Sequence, residues 1–83
     1  MIFPNEKEAI IKVLGKQPSR KIQPYLKLKK CLNARGVPYS PRSIQDVING
    51  ETDNFDVEKH IFELVAIEKK NIEKLNELKQ QIL

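Results

Sequence analysis

The chain has no tryptophan, one cysteine, one histidine and three glycines among its 83 residues. Cys31 has no internal partner for a disulfide, and together with His60 it falls short of the four ligands of a structural zinc site. A disulfide scaffold and a zinc finger are therefore both excluded. No stretch approaches the roughly 18 to 20 consecutive apolar residues that span a bilayer, so no membrane partner is expected. The opening Met-Ile-Phe-Pro-Asn-Glu lacks the charged and apolar regions of a signal peptide, which makes the cytoplasm the expected location. Repeats, Gly/Ser linkers and phosphate-cradling glycine loops are missing too. No nucleophile stands with a base, and no convergent carboxylate pair is visible, so the reading is of a non-enzyme without cofactor.

Acidic residues are missing from one half of the chain. Between residues 9 and 45 there is no Asp or Glu, whereas Lys12, Lys16, Arg20, Lys21, Lys27, Lys29, Lys30, Arg35 and Arg42 all lie inside that stretch. Residues 1–47 hold ten basic and three acidic side chains; residues 48–83 hold five and eight. The overall net charge of +4 thus conceals a basic half and an acidic half. A basic, acid-free stretch suits a polyanion such as nucleic acid, although a charge run by itself is also what an ordinary solvated surface looks like.

What is present reads as consecutive helices: an all-α domain of four to five helices, with 40% apolar residues and room for one core. A domain this small leans on tight helix packing or on a partner. The first helix is expected to start at Asn5 as N-cap with Glu8 three residues on, to bury Ile10, Val13 and Leu14, and to stop at Gly15. A second begins near Ser19, or alternatively at Pro24 with an end towards Leu32, and turns Ile22, Tyr25 and Leu26 inward. Asn33 to Tyr39 reads as a loop because Gly36 permits positive φ and Pro38 disfavours helix at Val37. The third helix is the best punctuated: Ser40 caps it, Pro41 takes its first position, Ile44, Val47 and Ile48 face in, and Gly50 ends it. A long last helix starts between Asp53 and Val57 and runs nearly to Leu83.

That last helix divides in two. Ile61, Phe62, Leu64, Val65 and Ile67 are expected to dock on the other helices, giving a domain over residues 1–67. Residues 68–83 carry a narrow apolar stripe of Ile72, Leu75, Leu78 and Ile82 interrupted by Glu68, Asn71 and Lys79. Such a stripe wants cover, either from a second copy of the chain in a homodimer or from its own domain by folding back.

With Ile44, Val47 and Ile48 inward, the 3.6-residue period leaves Arg42, Ser43, Gln45, Asp46 and Asn49 on the outer arc of the third helix. Arg reads guanine and Gln reads adenine in the major groove, Ser bonds phosphates or bases, and Asp accepts from cytosine or holds Arg42 at i+4. Ser40 at the helix start serves as cap and as a phosphate contact. An amphipathic helix with a merely solvated polar face has the same pattern.

The run Ser40-Pro41-Arg42-Ser43-Ile44-Gln45-Asp46-Val47-Ile48-Asn49-Gly50-Glu51-Thr52 resembles the recognition helix and following turn of the phage repressor and Cro-type helix-turn-helix family. Ser40, Ser43, Ile44, Val47, Asn49, Gly50 and Thr52 match its pattern, and Val57, Ile61 and Leu64 extend it. The resemblance implies a helix-turn-helix over about residues 19–50 and a double-stranded DNA partner. Base-contacting positions would fall on Ser40, Pro41, Arg42 and Asp46, with Ser43 and Gln45 adjacent. Two features depart from the family. Gly36 lies two residues too far ahead of Ile44 for the family's tight turn, so that turn is either expanded or replaced by an irregular loop of about ten residues. After Gly50 come Glu51, Asp53 and Asp56 where the family favours basic residues. The phosphate grip then falls to Arg20, Lys21, Lys27, Lys29, Lys30 and Arg35. The competing reading is a helical protein-interaction module that takes an acidic partner through the basic half. His60 and Cys31 read as structural, and Tyr25, Tyr39, Phe55 and Phe62 as core and loop anchors.

Overall fold

A computed structural model describes residues 1–82. It contains four helices, α1 (Pro4–Leu14), α2 (Pro18–Leu28), α3 (Pro41–Ile48) and α4 (Phe55–Ile82), and among the described residues the only extended pairing is an isolated antiparallel bridge between Leu32 and Pro38. The first three helices wrap the N-terminal half of α4, and α3 packs chiefly on α2. The core is aliphatic: Ile10, Leu14, Ile22, Leu26, Ile44, Ile48, Val57 and Ile61 are sealed from solvent, with Ile2, Val47 and Leu64 nearly so.

The first two helices start at proline, not after the cap-like polar residues of the sequence. α1 begins at Pro4, and its first turn is closed by the Phe3 N–H donating to Glu6 Oε1 at 3.0 Å, so Asn5 and Glu8 are not the capping pair. Similarly, α2 begins at Pro18 with Gln17 as N-cap, and Ser19 is packed into the interior instead of capping. Proline costs nothing at a first helical position, where its missing N–H would have no partner. Pro24 stands inside α2, on its exposed side, where it gives no N–H to the preceding turn; packing of Ile22 and Leu26 overrides that loss.

α3 matches its punctuation. Ser43 N–H donates to Ser40 Oγ at 3.2 Å, and after Asn49 the chain turns left-handed at Gly50 (φ 78°), where Glu51 N–H reaches the Asp46 carbonyl at 3.0 Å. Gly50 is also approached by the N-terminal segment: a Cβ there would sit 2.8 Å from the Ile2 carbonyl oxygen. That contact brings Ile2 into the core, a role its isolated position in the sequence does not announce. α4 is capped by Asn54, whose Oδ1 accepts from Val57 N–H at 3.2 Å, and continues without a break to Ile82. An unbroken helix excludes folding back of its second half. Phe62 and Ile67, expected inside, are exposed at 38% and 45%, because the buried line runs through Val57, Ile61 and Leu64 and leaves both on other faces.

α2 and α4 share one polar cluster. The Tyr25 hydroxyl donates to Glu63 Oε2 at 3.2 Å, and His60 Nδ1 meets the same oxygen at 3.0 Å. These bonds, that from His60 foremost, hold the Glu63 carboxyl below its ordinary value, while burial and the neighbouring carboxylate push the Tyr25 phenol up.

Two outcomes are expected. Gly50→Ala forces a Cβ into a left-handed conformation and against backbone, and should lower stability by at least about 2 kcal/mol in denaturant unfolding. Because folding lowers the Glu63 pKa, its contribution is fully present above the ordinary glutamate value of about 4.3 and is lost as pH falls through the lower folded value. Glu63→Gln should therefore lose less stability than the parent chain when the pH of the unfolding series is taken from 6 to 3.

Candidate nucleic-acid interface

Burial of Ile44, Val47 and Ile48 rotates the opposite side of α3 into solvent. Ser40, Pro41, Arg42, Ser43 and Asn49 are exposed, and Gln45 and Asp46 are half-exposed. The side chains differ in how far they are already engaged. The Ser40 hydroxyl donates to Ser43 Oγ at 3.0 Å while accepting from the Ser43 N–H, so its polar capacity goes largely into the cap. Ser43 retains its own hydroxyl proton. Gln45 Nε2 donates to Asn49 Oδ1 at 3.0 Å, which orients the amide along the helix and leaves its Oε1 available.

Among the described residues no hydrogen bond or ion pair takes up the Arg42 guanidinium, and Asp46 is not its partner. The expected i,i+4 bridge is missing for a physical reason: a base placed N-terminal to an acid is the weaker order on a helix. The Asp46 carbonyl meanwhile receives the Glu51 and Thr52 N–H groups, and so closes the end of α3.

The connection from α2 to α3 spans residues 29–40 and is neither a tight turn nor irregular. α2 ends in a paired motif in which Lys30 N–H reaches the Lys27 carbonyl and Cys31 N–H the Leu26 carbonyl, with Lys30 itself at φ 55°. A miniature hairpin follows. Asn33 N–H donates to the Val37 carbonyl at 2.9 Å, Asn33 Oδ1 accepts from the Arg35 and Val37 N–H groups, and Gly36 takes φ 75°. Cys31 and Tyr39 anchor the two ends on the core. Gln23 Nε2 donates to the Tyr39 carbonyl and Asn54 Nδ2 to the Tyr39 hydroxyl, both at 3.0 Å. The Cys31 thiol is pushed up, by burial and then by Asp56, which keeps it a neutral packing group at physiological pH.

The basic side chains fall into separate groups. Arg20, Lys21, Lys27, Lys29, Lys30 and Arg35 are all exposed. Since Gln23 reaches Tyr39, the residue before the Ser40 cap, the side of α2 that borders the α3 N-terminus is the Gln23 side, and Arg20 and Lys27 flank Gln23 on it by the helical period. Arg35 sits within the hairpin turn. Lys29 is on another side, with its Nζ 5.5 Å from the centre of the Tyr25 ring, next to the cluster that joins α2 to α4; Lys21 lies away from Gln23. Directly beyond α3, Glu51 and Asp53 are exposed. No candidate metal cluster of His, Cys, Asp or Glu occurs among the described residues, and no helix there is long and apolar enough to cross a membrane.

Comparison of the chain with family models, curated proteins and solved structures gives no match.

The residue least legible beforehand is Lys30. A lysine in the left-handed region at a helix end is strained, in a place where glycine or asparagine is usual. Lys30→Gly is expected to raise stability by about 0.5–1 kcal/mol in thermal unfolding, because it removes that strain without touching the core.

Proposed function

We propose that this protein binds double-stranded DNA sequence-specifically, as a small transcriptional regulator that inserts α3 into the major groove. The observation that carries this reading is the state of α3: three aliphatic residues lock its rotation from below, and the Arg42 guanidinium stands outward without an internal partner. Arg42 has the donor fork for guanine O6 and N7, and Gln45 and Ser43 follow it along the same exposed arc. Asp46 is suited to a cytosine amino group. The Arg42 backbone N–H at the helix start suits a phosphate, and the exposed Arg20 and Lys27 on the Gln23 side of α2 and Arg35 in the hairpin supply basic charge for the backbone. The resemblance of residues 40–52 to the repressor and Cro-type recognition helix supports the same reading. The α2–hairpin–α3 unit then acts as a helix-turn-helix with a structured insertion in place of the tight turn.

Self-association through the second half of α4 completes this reading. Ile72, Leu75, Leu78 and Ile82 are between 44% and 86% exposed, a stripe that a homodimer covers. A two-fold dimer reads a near-palindrome, its half-sites placed by the distance between the two α3 helices. The exposed Glu51 and Asp53 favour a second reading, a module that docks an acidic protein through Arg20, Lys27 and Arg35 while its own acids stay clear of any phosphate.

Selection from a random duplex pool, followed by titration at several salt concentrations, separates the two. DNA binding predicts a steep loss of affinity with salt. Arg42→Ala is expected to relax preference at one base position, at about 1–3 kcal/mol, and Lys27→Ala to weaken all sequences alike and to reduce the salt slope by about one. An Arg42→Ala protein with unchanged affinity and preference would overturn the assignment of α3 as the reading helix.

A further inference from the structure

The polar residues that interrupt the apolar stripe of α4 have a pattern of their own. Val65, Glu68, Ile72, Leu75, Lys79 and Ile82 recur at alternating steps of three and four, the seam of a two-helix coiled coil with one acid and one base inside it. Ile72, Leu75 and Ile82 are uncovered, Glu68 is half-buried and Lys79 is exposed. Among the described residues neither Glu68 nor Lys79 enters an ion pair.

We propose that a second copy of this chain covers the stripe as an antiparallel helix, in the one register that sets Glu68 against the partner's Lys79. The placement follows from the spacing. With the two-fold axis between Glu73 and Lys74, Glu68 faces the partner's Lys79, Ile72 faces the partner's Leu75, and Val65 faces the partner's Ile82; each pairing occurs twice by symmetry. A parallel pair instead sets Glu68 on Glu68 and Lys79 on Lys79 inside the seam, two repulsive layers with no compensation. The structure also provides for the tip of the incoming helix. A groove of about 490 Å³ runs between α1 and α4, lined by Ala9, Lys12, Val13, Val65, Lys69 and Ile72 among others. It lies where the register brings the partner's Ile82, whose side chain is 86% exposed in the single chain. At each of its two ends the pair therefore brings together α1, α4 and the partner's α4, three helices, and at its centre it is a two-helix seam.

This inference rests on the self-association part of the reading above and is independent of DNA binding, so its test uses the full chain without DNA. Sedimentation over a wide concentration range should show a monomer–dimer equilibrium. Glu68→Lys and Lys79→Glu should each raise the dimer dissociation constant about ten-fold or more, since each turns two attractive contacts into repulsive ones. The double swap Glu68→Lys/Lys79→Glu should return it to within about three-fold of the parent chain. Ala9→Glu, which places charge in the groove on a different helix, should also weaken the dimer. Helical circular dichroism at dilution verifies that each variant is folded. As a readout that needs no charge change, Ile72→Cys mixed with Leu75→Cys in a Cys31→Ser background should cross-link faster than either protein alone.

A chain that stays monomeric at all concentrations overturns both the inference and the self-association it rests on, and leaves DNA binding standing. A dimer indifferent to the single swaps, or one in which Ile72→Cys alone cross-links fastest, overturns the antiparallel register and keeps self-association. A double swap that fails to rescue overturns the pairing of Glu68 with Lys79.

Discussion

The rotation of α3 about its own axis is set by three side chains, Ile44, Val47 and Ile48, at 0–3% exposure, and the outward face follows from that burial. An eight-residue helix has little stability of its own, so its position comes from packing and from its two ends. Ser40 and Pro41 fix the start. Gly50 fixes the finish and at the same time lets the backbone of Ile2 approach, while the Met1 amino group meets Glu58 Oε1 in the first turn of α4 at 2.7 Å. With both ends and the buried face determined, Arg42 has no freedom to turn inward.

The connector between α2 and α3 shows how local polar bonding replaces a hydrophobic core. A twelve-residue link would ordinarily be costly to order, yet Asn33 satisfies two backbone N–H groups with one side-chain oxygen, and Tyr39 is held by both Gln23 and Asn54. The result is a hairpin closed by its own bonds and anchored on the core at Cys31 and Tyr39. The left-handed Lys30 at its start is the one strained non-glycine residue among those described, and it carries a charge at the junction of α2 and the hairpin.

α4 serves two neighbourhoods with a single periodicity. Up to Leu64 its apolar line is covered by α1, α2 and α3; beyond Ile72, which borders the groove beside α1, the same line continues exposed. A helix of 28 residues extends about 42 Å, against a long dimension of 50 Å for the whole chain, so its second half necessarily projects from the helices around its first. The Tyr25–Glu63–His60 cluster sits on the covered half and ties α2 to it.

The sequence by itself determined the helical class, the bounds of α3, the inward set on α3 and the absence of a break after Gly50, because proline, glycine, a serine cap and 3.6-residue spacing act within a turn or two of the residues that carry them. The exclusion of acids from residues 9–45 was equally plain. The caps of α1 and α2 lie two residues ahead of Asn5 and Ser19, the cap-like residues in the sequence, because the prolines at 4 and 18 take the first helical positions. What only the tertiary structure decided is what depends on residues far apart in the chain: that Ile2 is core, that Phe62 and Ile67 are not, that Lys29 stands over Tyr25 while Lys27 flanks Gln23, and that Asp46 leaves Arg42 unpaired. These are questions of which neighbour occupies a given direction in space, and spacing along one strand of sequence carries no information about a neighbour supplied by another helix.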